Sequence, residues 1–192
     1  MDIPYSFSED QIAVIDHSVL LAEEMVINHY KFSTNQWARL NYDIKTLANL
    51  SPGEIVQGPF AQIVKYAGQR KNTELGSNAY DFYKICIQDH AILSALETSS
   101  DLQLLPFSLY IITHELIHIV RFTQFLQHFD ASPDEKFQEE KRVHEKTHEI
   151  LMSVRLPGLH HIFKFYNQWR REFDGLKNIQ KNHLRNLTTP NF

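Results

Sequence analysis

The sequence predicts a mainly α-helical fold in a single domain, built round one buried central helix and carrying at most a small β element near residues 80–87. Three observations lead there. Apolar residues recur at helical spacing through most of the chain. One stretch, 107–126, is apolar on nearly every side, as a helix in the middle of a fold must be. A single segment, Tyr80 to Ile87, has the aromatic and β-branched residues of a strand. The 192 residues, 43% hydrophobic and 22% charged, can bury one sizeable core. No repeat, low-complexity tract or linker divides them, so 1–174 should form one globular domain and 175–192 a polar, mobile tail.

Residues 9–31 read as a helix, with Ile12, Ile15, Val19, Ala22, Met25 and Val26 on one face. A second helix is expected over 34–50 from the spacing of Trp37, Leu40, Ile44, Leu47 and Leu50. Ser51-Pro52-Gly53-Glu54 restarts the chain as a helix, with Ser51 as cap and Glu54 three residues on, and Gly58-Pro59 should bend or break it before Phe60. Residues 67–79 read as an exposed loop. The strand at 80–87 needs a partner from 54–78 or from another chain; otherwise the segment is helical. Helical periodicity resumes over 88–96, and the central helix runs from Pro106 to about Phe129. After the turn Asp130-Ala131-Ser132-Pro133 a helix spans about 134–155, stopped by Pro157-Gly158, and a last one covers 159–173.

Charge narrows the function. Nineteen Lys and Arg against 23 Asp and Glu leave no basic footprint for nucleic acid. Cys86 is the one cysteine, so neither an intramolecular disulfide nor a cysteine-ligated metal site is expected. Without a signal-like N-terminus or an apolar run of spanning length, the expectation is a cytoplasmic protein with no membrane partner.

The chemistry concentrates in Thr113-His114-Glu115-Leu116-Ile117-His118. Histidines at i and i+4 share a helix face and can bind one zinc ion, while Glu115 can reach a metal-bound water as general base, the HExxH arrangement. Three ionisable groups in the driest helix need compensation, which a metal supplies. The third ligand should come from the next helix, an antiparallel neighbour. Its predicted inward stripe is Phe137, Glu140, Val143, His144, Thr147, Ile150, Leu151 and Val154, with Glu139, Lys141 and Glu145 facing away, so Glu140 is the candidate ligand. His144, one turn on, could be a further ligand, a partner holding Glu140, or a donor to a developing oxyanion; His148 lies at the edge of the stripe.

Residues 111–120 resemble the zinc-binding pattern of the zincin metallopeptidases, and Glu140, 22 residues after His118, is similar to the glutamate of the gluzincin branch. The resemblance covers the metal-site helices alone. It implies His114, His118 and Glu140 as ligands of one Zn²⁺, Glu115 as the base that polarises water, and a peptide or other carbonyl substrate. Zincins also have a small sheet whose edge strand holds the peptide, where this sequence shows one clear strand before the central helix.

Two other readings use the same residues. A closed site of His114, His118, Glu140 and His144 would be a structural clamp between two helices. Glu115-x-x-His118 and Glu145-x-x-His148, with Glu24 on the first helix, could instead hold two iron or manganese ions in the manner of ferritin-like bundles. Asp89-His90 reads as a helix-capping turn, His160-His161 as partly exposed, and the cations Lys164, Arg170, Arg171, Lys177, Lys181 and Arg185 as a solvated face.

Overall fold

The computed structural model describes residues 6–69, 79–126, 128–129 and 131–167. The expected tail at 175–192, the end of the last helix and most of the expected loop at 67–79 lie outside them.

Helix α1 (Glu9–Tyr30) starts at a capping box in which Ser8 and Gln11 satisfy each other's backbone N–H groups. It packs along α4 (Leu104–Thr123), where Ser18 and Ser108 meet at 2.6 Å and the small residues Ser18 and Ala22 let the two backbones approach. From Pro106 to Val120 every residue of α4 is buried except Glu115. Pro106 is tolerated because the first helical turn has no partner for an N–H at that position. The helix ends at Thr123, before the expected Phe129.

The expected helix over 34–50 is not formed. The chain makes a single turn, α2 (Thr34–Trp37), passes through Asn41 in the left-handed region (φ 44°), and becomes strand β1 (Tyr42–Lys45), followed by a short 3-10 turn at Leu47–Asn49. The restart at Ser51 does carry its capping box, but around a three-residue 3-10 turn (Pro52–Glu54). Gly58 then takes φ 104°, a conformation that side chains disfavour, and turns the chain into β2 (Ala61–Gln69) where a helix was expected.

The predicted strand at 80–87 is β3 (Ala79–Ile87), and its partner does come from 54–78. β2 pairs with it antiparallel, from Ala61 opposite Ile87 to Gln69 opposite Ala79, and β1 pairs with it in parallel, giving the order β1-β3-β2. Ile85 and Ile87 are buried toward the helices, with Tyr83 stacked on Phe122 of α4. Helix α3 (Asp89–Thr98) follows directly, and α5 (Pro133–Leu151) returns antiparallel to α4 after its own Ser132–Glu135 capping box. Residues 159–167 form a further helix, α6. The fold is mainly α, as expected, but its sheet has three strands. Among the described residues no helix is long and apolar enough to cross a membrane.

Candidate metal centre

Helix α4 presents His114 and His118 one turn apart, and α5 brings Glu140 to both. His118 Nε2 lies 3.2 Å from His114 Nε2 and 3.2 Å from Glu140 Oε1, and Glu140 Oε2 lies 3.3 Å from His114 Nε2. These residues are the one group of three or more potential ligands within reach of a single ion among the described residues. The geometry fits a cation: ligands ~2.0–2.1 Å from a tetrahedral zinc stand ~3.3–3.4 Å from one another. Burial pushes the Glu140 carboxyl up, but hydrogen bonds from His114 and His118, and then their charge, outweigh it and hold the group below the usual carboxylate range. The buried Nδ1 of His114 has no hydrogen-bond partner, whereas a metal-ligating histidine ordinarily donates from its second nitrogen.

The helix faces of α5 differ from the predicted stripe. Glu139, expected to face solvent, is 3% exposed and forms a bidentate pair with Arg121 of α4, with Arg142 at 3.4 Å. Glu140, expected at the centre of the stripe, has 47% of its side chain exposed. Val143, His144, Thr147, Ile150 and Leu151 of the expected stripe are buried; the difference is at its start, where Glu139 takes the buried place and Glu140 faces a cleft.

That cleft, about 410 Å³, is lined by residues of α4 and α5, by the approach to β2 (Gly58 to Ile63) and by Tyr166 of α6. Glu115 points into it, the single break in the buried run of α4. Burial raises the Glu115 carboxyl, and the two histidines pull it back. His144 lines the cleft with its ring centroid 4.3 Å from that of His114, but it stands outside the three-residue group, and its Nδ1 lies 3.0 Å from the Tyr110 hydroxyl. Tyr110 in turn stacks on Tyr166 at 4.0 Å. Comparison with protein-family models, curated proteins and solved structures finds no match.

Tyr110 and Tyr166 were missed as site residues. Tyr110 carried a usable signal, since it lies four residues before His114 on the same helix face. Tyr166 carried none, because α6 reaches the cleft through tertiary packing.

Other predicted candidates lie elsewhere. Glu24 and Glu145 are exposed and outside the ligand group, so the geometry adds nothing to a two-metal arrangement. Asp89 is buried and accepts hydrogen bonds from the backbone N–H groups of Phe7 (3.0 Å) and Leu47 (2.9 Å), tying the N-terminal segment and the loop after β1 to the start of α3. His90 Nε2 lies 3.1 Å from the Val56 carbonyl oxygen. His148 packs on Phe163, and His160 is exposed with His161 half-buried beside it.

Proposed function

We propose that this protein is a zinc-dependent hydrolase of metallopeptidase type, related in its site to the gluzincins. The observation that carries the reading is the convergence of His114 Nε2 and His118 Nε2, 3.2 Å apart, on Glu140, whose Oε2 and Oε1 lie 3.3 and 3.2 Å from them, with Glu115 beside the group in an open cleft. His114, His118 and Glu140 would hold the ion, one per chain. A bound zinc supplies a Lewis acid that polarises a carbonyl and makes nearby water more acidic. His144 stands outside the group of three that can reach one ion, which favours an open site over a closed clamp.

Glu115 takes a proton from the water that attacks the carbonyl carbon, and its raised affinity for protons suits that role. The same proton passes to the leaving nitrogen as the C–N bond breaks. His144, held by the Tyr110 hydroxyl, donates to the developing oxyanion. The sheet supplies a place for an extended chain. The Gln88 N–H bonds to the Phe60 carbonyl, so hydrogen-bonded pairing falls on residues 60, 62, 64, 66 and 68, and the backbone groups of Ala61, Ile63, Lys65 and Ala67 point away from β3. Among the described residues no strand covers that edge, and an added strand is a common mode of peptide binding.

The test is Glu115→Gln in protein reconstituted with zinc, assayed on a mixed peptide library with product detection by mass spectrometry. Retained zinc with turnover reduced by about 10²–10⁴-fold is expected. Wild-type protein that binds zinc tightly and cleaves nothing would turn the site into a structural clamp.

A further inference from the structure

Lys136 is the one cation among the described residues that line the metal cleft. It is exposed and makes no ion pair within the described part of the chain. Glu140, four residues along the same helix, is its natural i,i+4 partner. Both Glu140 oxygens, however, are turned to His114 and His118, so the lysine is left with nothing to neutralise. A cation this close to the start of a helix also works against the helix dipole, an arrangement that stability alone does not favour.

Its position relative to the donor triangle is set by the helix pair. The contacts Arg121 to Glu139, His118 and His114 to Glu140, and Tyr110 to His144 run in opposite directions along the two helices, which are therefore antiparallel. One turn back from Glu140, about 6 Å along the axis, Lys136 is level with the turn of α4 that follows His118. That turn carries Phe122, stacked on His118 at 5.9 Å, and Phe129 packs on Phe122 at 5.3 Å. Both rings line the cleft. From the triangle toward Lys136 the cleft is thus apolar and then cationic. A peptide residue spans at most ~3.3–3.6 Å, so the interval holds one or two residues beyond a carbonyl placed at the triangle.

We infer that Lys136 anchors a substrate carboxylate, so that the site takes peptides by their C-terminal end, with an apolar side chain against Phe122 and Phe129 and the scissile carbonyl one or two residues before the terminus. This rests on the hydrolase reading and adds the substrate class. The helix holds the Lys136 backbone at a fixed distance from Glu140 and the histidines it meets.

The experiment is calorimetric binding to zinc-loaded Glu115→Gln protein, so that nothing is consumed. Three probes are compared: N-acetyl-Phe-Phe with a free carboxylate, the same dipeptide as its C-terminal amide, and N-acetyl-Phe-Asp amide, which moves the carboxylate to a side chain. The free acid should bind at least tenfold tighter than either amide. Adding Lys136→Gln should reduce that preference to twofold or less, and Lys136→Arg should keep it. Equal binding of acid and amide, a preference that survives Lys136→Gln, or no binding of any probe overturns the anchor; tight binding of the aspartyl amide overturns the terminal specificity. Wild-type protein that shows the preference but cleaves none of the probes would count against the hydrolase reading and leave the anchor standing.

Discussion

Two charged clusters flank the sheet, and they are solved differently. On its far face Glu54, 4% exposed, receives Lys84 Nζ at 2.8 and 2.9 Å, the Tyr66 hydroxyl at 2.6 Å, and the N–H and hydroxyl of Ser51 at 2.7 and 2.9 Å. Every lone pair there meets a proton, one charge balances the other, and the result pins the 51–58 loop to β2 and β3. At His114, His118 and Glu140 two imidazole nitrogens and a carboxylate converge without a full set of partners, a donor set that could hold a metal ion. The first cluster is self-sufficient and structural; the proposed role of the second is to hold an ion.

The largest effect should separate the two clusters outright. His118→Ala removes one corner of the triangle and is expected to weaken zinc binding by at least about 10³-fold, roughly 4 kcal/mol, in competition with a chelating indicator. Glu54→Ala should leave zinc affinity unchanged. In denaturant unfolding, Glu54→Ala should instead cost about 2–3 kcal/mol, because the largely buried Lys84 ammonium and the Ser51 backbone N–H lose their acceptor. Replacing both members, Glu54→Leu with Lys84→Met, should recover most of that loss, an outcome with no counterpart at the metal centre.

Acid sharpens the same contrast. Hydrogen bonds from Lys84, then Tyr66 and Ser51, hold the Glu54 carboxyl down at about 2, against an ordinary value of 4.5. A depressed acid stabilises the fold above the unfolded value and loses that contribution as pH falls from 4.5 toward 2. Urea midpoints of wild type should therefore drop more steeply through that window than those of Glu54→Gln. The smallest effect is expected from Tyr110→Phe: about 1 kcal/mol of stability and a several-fold fall in kcat, with zinc affinity unchanged, because the hydroxyl touches His144 and not the ligand group.

The elements that could be read from sequence are those whose reasons are local. Helices α1, α3 and α5 show a periodic apolar face, α4 is apolar on nearly every side, β3 has its own composition, and the His114–His118 spacing is a property of one helix turn. The region 34–69 failed for the opposite reason. Trp37, Leu40, Ile44 and Leu47 are spaced like a helix stripe, yet Asn41 breaks the helix with a left-handed residue and Ile44 pairs with Ile85, forty-one residues away. β2 is a strand because β3 is there to pair with it. The neighbouring glutamates of α5 illustrate the same limit: whether residue 139 or 140 is buried depends on Arg121, which no helical wheel of α5 contains.

The three candidate ligands all belong to one helical hairpin, with 22 residues from His118 to Glu140, whereas the parallel pairing of β1 closes a loop of 41 from Tyr42 to Tyr83. Shorter loops close at lower entropic cost, so during refolding the donor triangle should assemble before the sheet is complete. On the proposed zinc reading, the ion added at the start of refolding should act as a nucleation aid, speeding a chain whose sheet is still incomplete.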